Sequence, residues 1–358
     1  MKNNLISILF QGFKLGLFFN LFTLFLGIIY VLTIEHKYSK PFDFKPSIQF
    51  GTAVTGSNIF LNPDKNDYII NPSWLAVRPK FTFFIPATEF RADRKESAPR
   101  IKTWCKTNNC CAHRVSYNFS DRFAFNCFTV DDWFTNNSNF LSPYFDNAAS
   151  IPLDNFLKSL PKGSRVIINE PLILFQQNKL NFSLFENWVI QLIAKHPYLK
   201  FEIGIQFHFQ WMDSQFFALS DGVLFAQLAQ FSREHGIPWG ISEFSVYDRV
   251  WRRRLITRFN KTSDRGKFIS QIESFVPDRF RRAVVLHQAY WIHRQAVRFG
   301  AKFVVEWGNF PLIWFAGEID SDYRSTFSLF DWQGNPQPMY WAIVRGLQDG
   351  TLGVKNEK

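Results

Sequence analysis

The sequence predicts an α/β fold in which eight parallel strands, each followed by a helix, close into a (β/α)8 barrel. Three observations support this prediction. Short apolar runs typical of buried strands alternate with longer amphipathic runs typical of helices. The strand-like runs are apolar throughout, as in parallel strands that are covered on both faces. The length of 358 residues suits one large barrel domain.

The first element is an apolar segment, Leu15 to Ile34, that predicts a transmembrane helix. Its 20 residues would span about 30 Å, the thickness of the hydrocarbon core of a bilayer. Lys2 and Lys14 precede it, which favours a cytoplasmic location for residues 1–14 and an extracytoplasmic location for the rest. A cleavable signal peptide is the alternative, but no small-residue cleavage site follows the segment. We therefore expect a single-pass membrane protein with an uncleaved signal anchor.

The barrel is expected at residues 48–347, after a polar tether at 35–47 and before a polar tail at 348–358. The strand-like runs are Ile48–Val54, Phe81–Ile85, Phe123–Phe128, Arg165–Glu170, Phe201–Phe207, Ile237–Glu243 and Lys302–Trp307. The amphipathic helical runs are Leu184–Ala194, Phe217–His235 and Arg281–Phe299. This pattern gives seven strands rather than eight. Either the missing strand lies in Leu172–Gln176 or the barrel is irregular.

Charge and motifs argue against nucleotides and nucleic acid as partners. The net charge is +11, but the basic residues are scattered and no nucleic-acid-binding motif accompanies them. No Gly-rich turn follows the first strand, so a nucleotide-binding fold is not supported. The positive charge instead indicates a general attraction to anionic surfaces. We expect no cofactor, and the oligomeric state is left open.

Four cysteines fall in one short window and predict disulfides. They are Cys105, Cys110, Cys111 and Cys127. The window lacks the Cys-x-x-Cys or His-Cys spacing of a zinc site, so we expect no metal there. Disulfides agree with an oxidising compartment outside the cytoplasm. The pairing is not fixed by the sequence, although the adjacent Cys110 and Cys111 are not expected to bridge each other.

Two glutamates stand at the ends of apolar strand-like runs. Glu170 and Glu243 are 73 positions apart, and a carboxylate at the tip of a buried strand is costly to desolvate. If both strands belong to one parallel sheet, the two carboxyl groups converge at the same edge. Such a pair suits cleavage of a glycosidic bond, with one carboxyl as proton donor and the other as nucleophile or base. The alternative is that each is an ordinary strand-end acid in a solvated loop.

Four segments in chain order resemble the family 10 glycoside hydrolases, which are (β/α)8 enzymes of the xylanase type. The segments are Asn169-Glu170, Gly204-Ile205-Gln206-Phe207-His208, Ser242-Glu243 and Glu306-Trp307-Gly308. The family has Asn-Glu on strand 4, Gly-x-Gln-x-His on strand 6, Thr-Glu on strand 7 and Trp-Gly on strand 8. The resemblance covers about residues 48 to 347.

The resemblance implies a role for each matching residue. Glu170 would be the acid/base and Glu243 the nucleophile of a retaining mechanism. Asn169 would bind the sugar 2-hydroxyl, His208 would orient Glu243, and Gln206 would help to position this region. The remaining implied substrate-binding residues are Trp307 and Trp314, as an apolar platform, and Glu89, which matches the glutamate that follows strand 2.

The departures from the family concern substrate holding. Phe90 stands where the family has Asn, and Cys127 stands where it has His after strand 3. The resemblance therefore implies a β-glycosidase that acts on an extracytoplasmic polysaccharide and whose specificity is altered from that for xylan. The alternative function is a non-catalytic carbohydrate-binding or exopolysaccharide-assembly protein that keeps the barrel.

Overall fold

The structure, a computed structural model, describes most of the barrel framework and part of its loops. The described residues are 2–41, 43–44, 47–54, 59–62, 67–70, 78–86, 110–113, 126–131, 134, 153–172, 182–210, 222–247, 278–306, 329–331 and 333–356.

Helices and strands alternate along most of the described chain. The strands are β1 Gln49–Val54, β2 Ile59–Asn62, β3 Asp67–Ile70, β4 Phe83–Pro86, β5 Ala112–His113, β6 Cys127–Asp131, β7 Arg165–Glu170, β8 Lys200–Gln210, β9 Trp239–Tyr247 and β10 Phe303–Glu306. The helices are α1 Lys2–Ser39, α2 Leu153–Lys158, α3 Phe182–Lys195, α4 Val223–His235, α5 Asp278–Arg298 and α6 Pro338–Asn356.

Eight of these strands form one parallel sheet, and β2 and β3 form a separate antiparallel hairpin. The order in the sheet is β4-β1-β10-β9-β8-β7-β6-β5, so the first and last barrel strands pair directly. The two ends of this order, β4 and β5, lie side by side. Consecutive parallel strands joined by helices in a sheet that returns on itself make a (β/α)8 barrel. The predicted fold class is confirmed.

The strand that the sequence pattern lacks is β5, a two-residue strand at Ala112–His113. It pairs with β6 through Ala112 opposite Phe128 and His113 opposite Thr129. Of the alternative location, Leu172–Gln176, only Leu172 lies within the described residues, and β7 and β8 pair directly with each other over six residues from Arg165 to Glu170. A strand of two residues is too short to show any periodicity, which explains why the pattern missed it.

A disulfide joins Cys111, immediately before β5, to Cys127, the first residue of β6. Their Cα atoms are 4.4 Å apart and both side chains are buried. Cys110 is also disulfide-bonded. Cys105 lies outside the described residues. The Cys111–Cys127 bond connects two neighbouring strands, so it holds the shortest strand of the barrel in register.

Helix α1 is longer than the predicted span and its end packs on the barrel. Among the described residues, one stretch, Phe19–Ser39, is long and apolar enough to cross a membrane. The helix continues past Ile34 to Ser39, where the sequence predicts a tether. Val31, Ile34 and Tyr38 are buried against α5 and α6. These residues are spaced three and four apart, so they form one face of the helix, and burial of this face keeps residues 35–39 helical.

Candidate active site

The carboxyl ends of β7, β8 and β9 bring the central residues of the predicted site together. Asn169 on β7 is opposite Gly204 on β8, and Gly204 is opposite Gly240 on β9. Two positions further along β8, Gln206 is opposite Glu243. This is the edge of the sheet where active sites of (β/α)8 enzymes lie.

Asn169 is the centre of a buried polar network. Its Nδ2 donates a hydrogen bond of 2.6 Å to Oε1 of Glu243, and its Oδ1 accepts one from the hydroxyl group of Ser242. The side-chain amide of Gln206 donates to the main-chain oxygen of Asn169 at 3.4 Å. All four residues are buried, and Glu243 keeps a relative exposure of 6%. One amide thus fixes the carboxylate of Glu243 and is itself fixed by Ser242.

A β-bulge lets both Ser242 and Glu243 reach Asn169. Ile205 pairs with Ile241, but Gln206 pairs with Glu243, so Ser242 is an extra residue on β9. In a regular strand, neighbouring side chains point to opposite faces. The extra residue breaks this alternation locally, as bulges near active sites commonly do. Sequence reasoning identified Ser242 only as the neighbour of Glu243, because a bulge leaves no mark in the apolar pattern.

Gly204 provides the space in which the network crosses β8. A Cβ atom added at Gly204 would lie 2.6 Å from Cβ of Ser242 and 2.7 Å from Cγ2 of Ile167, and it would also collide with the Ser242 hydroxyl. These separations are shorter than carbon atoms tolerate. Without a side chain at this position, groups on β7 and β9 meet over the middle strand. The close packing of Ser242 and Ile167 therefore explains why the Gly-x-Gln-x-His segment begins with a glycine.

Glu170 is the last residue of β7 and is fully buried. Its Oε1 accepts a hydrogen bond of 2.7 Å from the main-chain N–H of Phe134. The ring of Phe134 packs on Phe185 and Trp188 of α3, with ring centroids 5.6 and 5.3 Å apart. Because side chains alternate along a strand, the pleat of β7 directs Glu170 away from the face that carries Asn169. Glu170 thus lies beside the network, under the loop that follows β6.

A second buried pair lies on the helix side of the strand that carries Glu243. Phe244 packs edge-on against His293 of α5, with ring centroids 4.5 Å apart. His293 Nε2 is 2.9 Å from Oε1 of Glu306, and its Nδ1 is 2.7 Å from the main-chain oxygen of Ala289. A ring whose Nδ1–H donates to a carbonyl presents Nε2 as an acceptor when it is neutral.

Burial acts on the pKa of Glu306. It raises the pKa of Glu306 above its usual value, and the neighbouring His293 only partly opposes that shift. Burial favours the protonated form of Glu306, whose Oε1 lies 2.9 Å from Nε2 of His293. No pattern in the sequence predicts this pair, although its two residues are only 13 positions apart, because the contact depends on how α5 packs against β10.

Several predicted site residues, or their side chains, lie outside the part of the chain that the structure describes. His208 belongs to β8, where its backbone pairs with Ser245, but its side chain lies outside what the structure describes. The other predicted binding residues outside the described part of the chain are Glu89, Trp307 and Trp314. Within the described part, no group of three or more His, Cys, Asp or Glu side chains could hold a metal ion.

Comparison with solved structures identifies the fold. No protein-family model matches the sequence, and no curated protein matches it either. The structure is similar to xylanase 10B from Thermotoga maritima, with a TM-score of 0.51 and 14% identity over 90% of this chain and 98% of that one. Xylanase 10B from Thermotoga petrophila gives a TM-score of 0.52 and 14% identity over 88% and 96% of the two chains. A GH10 endoxylanase from a sugarcane soil metagenome gives a TM-score of 0.52 and 12% identity over 87% of this chain and 99% of that one.

One feature of the strand order differs from the family pattern. In the family, the strand with Asn-Glu and the strand with Gly-x-Gln-x-His are strands 4 and 6. Here β7 and β8, which carry these motifs, are adjacent and are the fifth and sixth strands of the sheet in chain order. The strand of Glu170 is therefore one position closer to the strand of Glu243. With that difference in strand order, the chain has the (β/α)8 fold of the family 10 xylanases.

Proposed function

We propose that the chain is a membrane-anchored retaining β-glycosidase that hydrolyses an extracytoplasmic polysaccharide. The observation that carries the proposal is the hydrogen bond between Asn169 and Glu243 at the carboxyl edge of a barrel with the xylanase fold. A carboxylate held in one orientation by a buried amide can attack a sugar ring. The three solved structures named above are described as xylanases, which supports a glycosidic substrate.

Two carboxyl groups divide the chemistry. Glu170 transfers its proton to the glycosidic oxygen of the leaving sugar while a carboxylate oxygen of Glu243 bonds to the anomeric carbon. In the second step the ionised Glu170 takes a proton from water, the water oxygen bonds to the anomeric carbon, and the bond to Glu243 breaks. The proposed donor, Glu170, is fully buried at the end of β7, and a proton donor must begin the cycle in its protonated form.

The remaining predicted residues act on the substrate rather than on the bond. Asn169 also offers its amide to the sugar 2-hydroxyl, and Gln206 supports the main chain of Asn169. His208 orients Glu243, and Trp307 and Trp314 form an apolar platform under the sugar. Glu89 contacts the sugar chain further along the cleft. None of these roles needs a metal or an organic cofactor.

The placement of Glu170 favours a second candidate, a carbohydrate-binding protein without turnover. Its carboxyl group is fully buried beside Phe134, and the pleat turns it away from the face of Asn169. A proton donor must reach the glycosidic oxygen. If Glu170 does not reach a bound sugar, Glu243 and Asn169 remain polar groups that bind sugar hydroxyls.

The test uses the full chain in detergent, because Val31, Ile34 and Tyr38 of α1 are part of the barrel packing. Wild type, Glu243→Gln and Glu170→Gln are assayed on aryl β-xylosides and on a panel of β-linked oligosaccharides. Glu234→Gln, at an exposed glutamate of α4, is the matched control. Proton NMR of the first product gives the anomer.

Turnover with a β product that is lost in both site variants but kept in Glu234→Gln supports the retaining mechanism. Azide then separates the roles, because it should form a glycosyl azide of inverted configuration with the nucleophile variant and of retained configuration with the acid/base variant. Binding of the oligosaccharides without any turnover supports the second candidate. An α product would contradict retention.

Anchoring is the further part of the proposal. The stretch Phe19–Ser39 is the described segment with the length and hydropathy of a membrane span. Side chains in its first half are exposed and apolar, among them Phe19, Leu24 and Phe25. With Lys2 and Lys14 before it, the barrel lies outside the cytoplasm. Accessibility of the barrel to protease in intact spheroplasts tests this orientation.

A further inference from the structure

Helix α1 runs parallel to helix α5, and this fixes which end of the barrel the anchor leaves. A Cβ atom added at Gly27 would meet Phe280 at 4.0 Å, and Tyr30 packs on the same ring with centroids 5.9 Å apart. Further along α1, Tyr38 packs on Tyr290 at 5.8 Å. Advancing along α1 therefore means advancing along α5, from its first turn to its middle.

Helix α5 begins at the end of the barrel where the candidate active site lies. It connects β9 to β10, which pair in parallel. A helix that joins two parallel neighbours must return from the carboxyl end of the first to the amino end of the second. Phe280 therefore lies near the site end of the barrel. At the opposite end, Ser47 bonds to Thr351 near the end of α6, and Gln49 bonds to the main chain of Lys302, just before β10.

The apolar part of α1 consequently projects beyond the site end. The helix is continuous from Lys2, so 25 residues precede Gly27 and extend roughly 37 Å past the level of Phe280. The described side chains of this part are exposed, with Phe19 at 68% and Leu24 at 61%. A helix with apolar side chains on its whole surface needs a bilayer around it.

Charges near the start of α5 agree with a membrane at this level. Arg279 and Arg282 are exposed in its first turns. Arginines at a helix N-terminus oppose the helix dipole, so their presence there needs another partner. Arg279 is paired with Glu35 of α1, where its Nε is 2.7 Å from Oε1. The exposed Arg282 also interacts electrostatically with Glu35, and it lies where anionic lipid headgroups would complement it.

We propose that the face of the barrel with the candidate site is apposed to the bilayer, and that the substrate is a glycan held at the membrane surface. The part about the substrate rests on the proposed glycosidase function, whereas the apposition does not. Because the end of α1 packs on the barrel, the anchor holds the barrel in one orientation, in which the cleft faces the lipid headgroups. A soluble polymer would reach it only through the gap between barrel and membrane.

Fluorescence transfer to the bilayer tests the apposition without any activity. Helix α4 joins β8 to β9, so Val223 marks the site end of the barrel and His235 the opposite end, about 18 Å apart along the helix. Both side chains are exposed. A donor dye is attached to Val223→Cys or His235→Cys in the full chain. Each is reconstituted in phosphatidylethanolamine–phosphatidylglycerol vesicles that carry a rhodamine-labelled lipid.

The dye at Val223 should be quenched more strongly than the dye at His235. Equal quenching, or stronger quenching at His235, would overturn the proposal. Eight Gly and Ser residues inserted before Gly27 form a matched control, because they free the barrel while its contacts with Tyr30 and Tyr38 remain. The difference should then disappear. If the difference in quenching between Val223 and His235 remains after the insertion, α1 is not the element that orients the barrel.

A second measurement addresses the substrate. Each β-linked oligosaccharide of the panel used for the proposed function is offered either in solution or linked to a lipid in those vesicles. We expect at least about tenfold faster cleavage of the lipid-linked form, because the cleft and the sugar share one surface. Equal rates would overturn the substrate class. If neither form is cleaved but the dye at Val223 is still quenched more strongly than the dye at His235, the glycosidase function is wrong and the apposition is supported.

Discussion

Asn169 and Glu243 are joined by a 2.6 Å hydrogen bond although a whole strand, β8, separates their strands. Two strand spacings amount to roughly 9.6 Å, which two polar side chains bridge only when nothing stands between them. Gly204 leaves that space, and the bulge at Ser242 turns β9 toward it. The relationship between these two residues therefore depends on the backbone of three strands, and β7 and β8 each offer a test.

Replacing Asn169 by Ala should impair turnover more than folding. Glu243 would lose the amide that orients it, and hydrogen bonds to charged groups contribute about 1.5–3 kcal/mol. We expect kcat/KM to fall by about tenfold to a hundredfold on any substrate that the wild type cleaves. Asn187→Ala, on the exposed face of α3, is the control and should leave the rate unchanged. An Asn169→Ala enzyme with the wild-type rate would contradict the orienting role.

Replacing Gly204 by Ala should destabilise the barrel. The added methyl group would collide with Ser242 and with Ile167, both of which are fully buried. Overpacking of this kind costs about 1–3 kcal/mol, and the urea midpoint should fall accordingly. Gly27→Ala is the matched control, since its methyl group meets only Phe280 at 4.0 Å. Equal midpoints for wild type and Gly204→Ala would show that the strands shift at no cost.

The sequence was sufficient for the class of fold and for the strands that carry the central residues. Its pattern placed Glu170 and Glu243 at strand ends because buried strands are apolar and their polar ends are conspicuous. It could not reveal the bulge at Ser242 or the pair of His293 and Glu306, because both depend on which backbones are neighbours. Secondary-structure propensity depends on the residues of one segment, whereas strand register depends on how two segments pair.

The same limit explains the strand count. β5 contains only Ala112 and His113, and it is a strand because β6 offers it hydrogen bonds and a disulfide holds it there. Its own sequence has no apolar run. The extension of α1 to Ser39 has a similar cause, since Tyr38 is buried by packing against α5 and α6. Tertiary contacts therefore determine both the position of β5 and the end of α1.

The pair of Glu306 and His293 should make stability depend on pH. Burial raises the pKa of Glu306, so the folded state holds its proton more tightly than the unfolded state does. The resulting stabilisation is complete below the unfolded value of about 4.5 and is lost as pH rises through the folded pKa. The free energy of unfolding of the wild type, from urea titrations between pH 4 and pH 8, should therefore decline relative to that of Glu306→Gln.

Glu202→Gln is the informative comparison for that experiment. Glu202 is a partly buried glutamate paired with Arg165, whose Nε is 2.7 Å from its Oε1. Glu202 is not part of the His293–Glu306 pair, so its substitution should not reproduce the pH-dependent difference expected for Glu306→Gln. A constant difference in free energy between wild type and Glu306→Gln across this range would mean that Glu306 ionises normally in the folded barrel.

Removing the Cys111–Cys127 disulfide should cost more than a surface change would. The bond closes a loop with a sequence separation of 16, for which chain entropy gives about 3 kcal/mol. The double variant Cys111→Ala/Cys127→Ala is preferable to a reductant, because Cys110 is also disulfide-bonded. We expect a lower melting temperature for the variant in calorimetry. An unchanged melting temperature would mean that β5 needs no covalent link to β6.

The last prediction concerns where α1 stops being an anchor and becomes part of the barrel. Val31, Ile34 and Tyr38 are buried on one face of the helix, and burial of each apolar side chain contributes about 1.5–3 kcal/mol. A chain that begins at Gly27 keeps this face, whereas a chain that begins at Pro41 loses it and exposes the matching surface of α5 and α6.

We therefore expect the chain from Gly27 to unfold at a urea concentration close to that of the full chain in detergent, and the chain from Pro41 to unfold at a clearly lower one. Thr33→Ala is the control for the longer fragment, because Thr33 is exposed on the other side of the helix. Equal midpoints for the two fragments would show that residues 35–39 are only a tether. A lower midpoint for the fragment from Pro41 would mean that the barrel needs the end of α1 that carries Val31, Ile34 and Tyr38, so that cleavage behind this face would destabilise it.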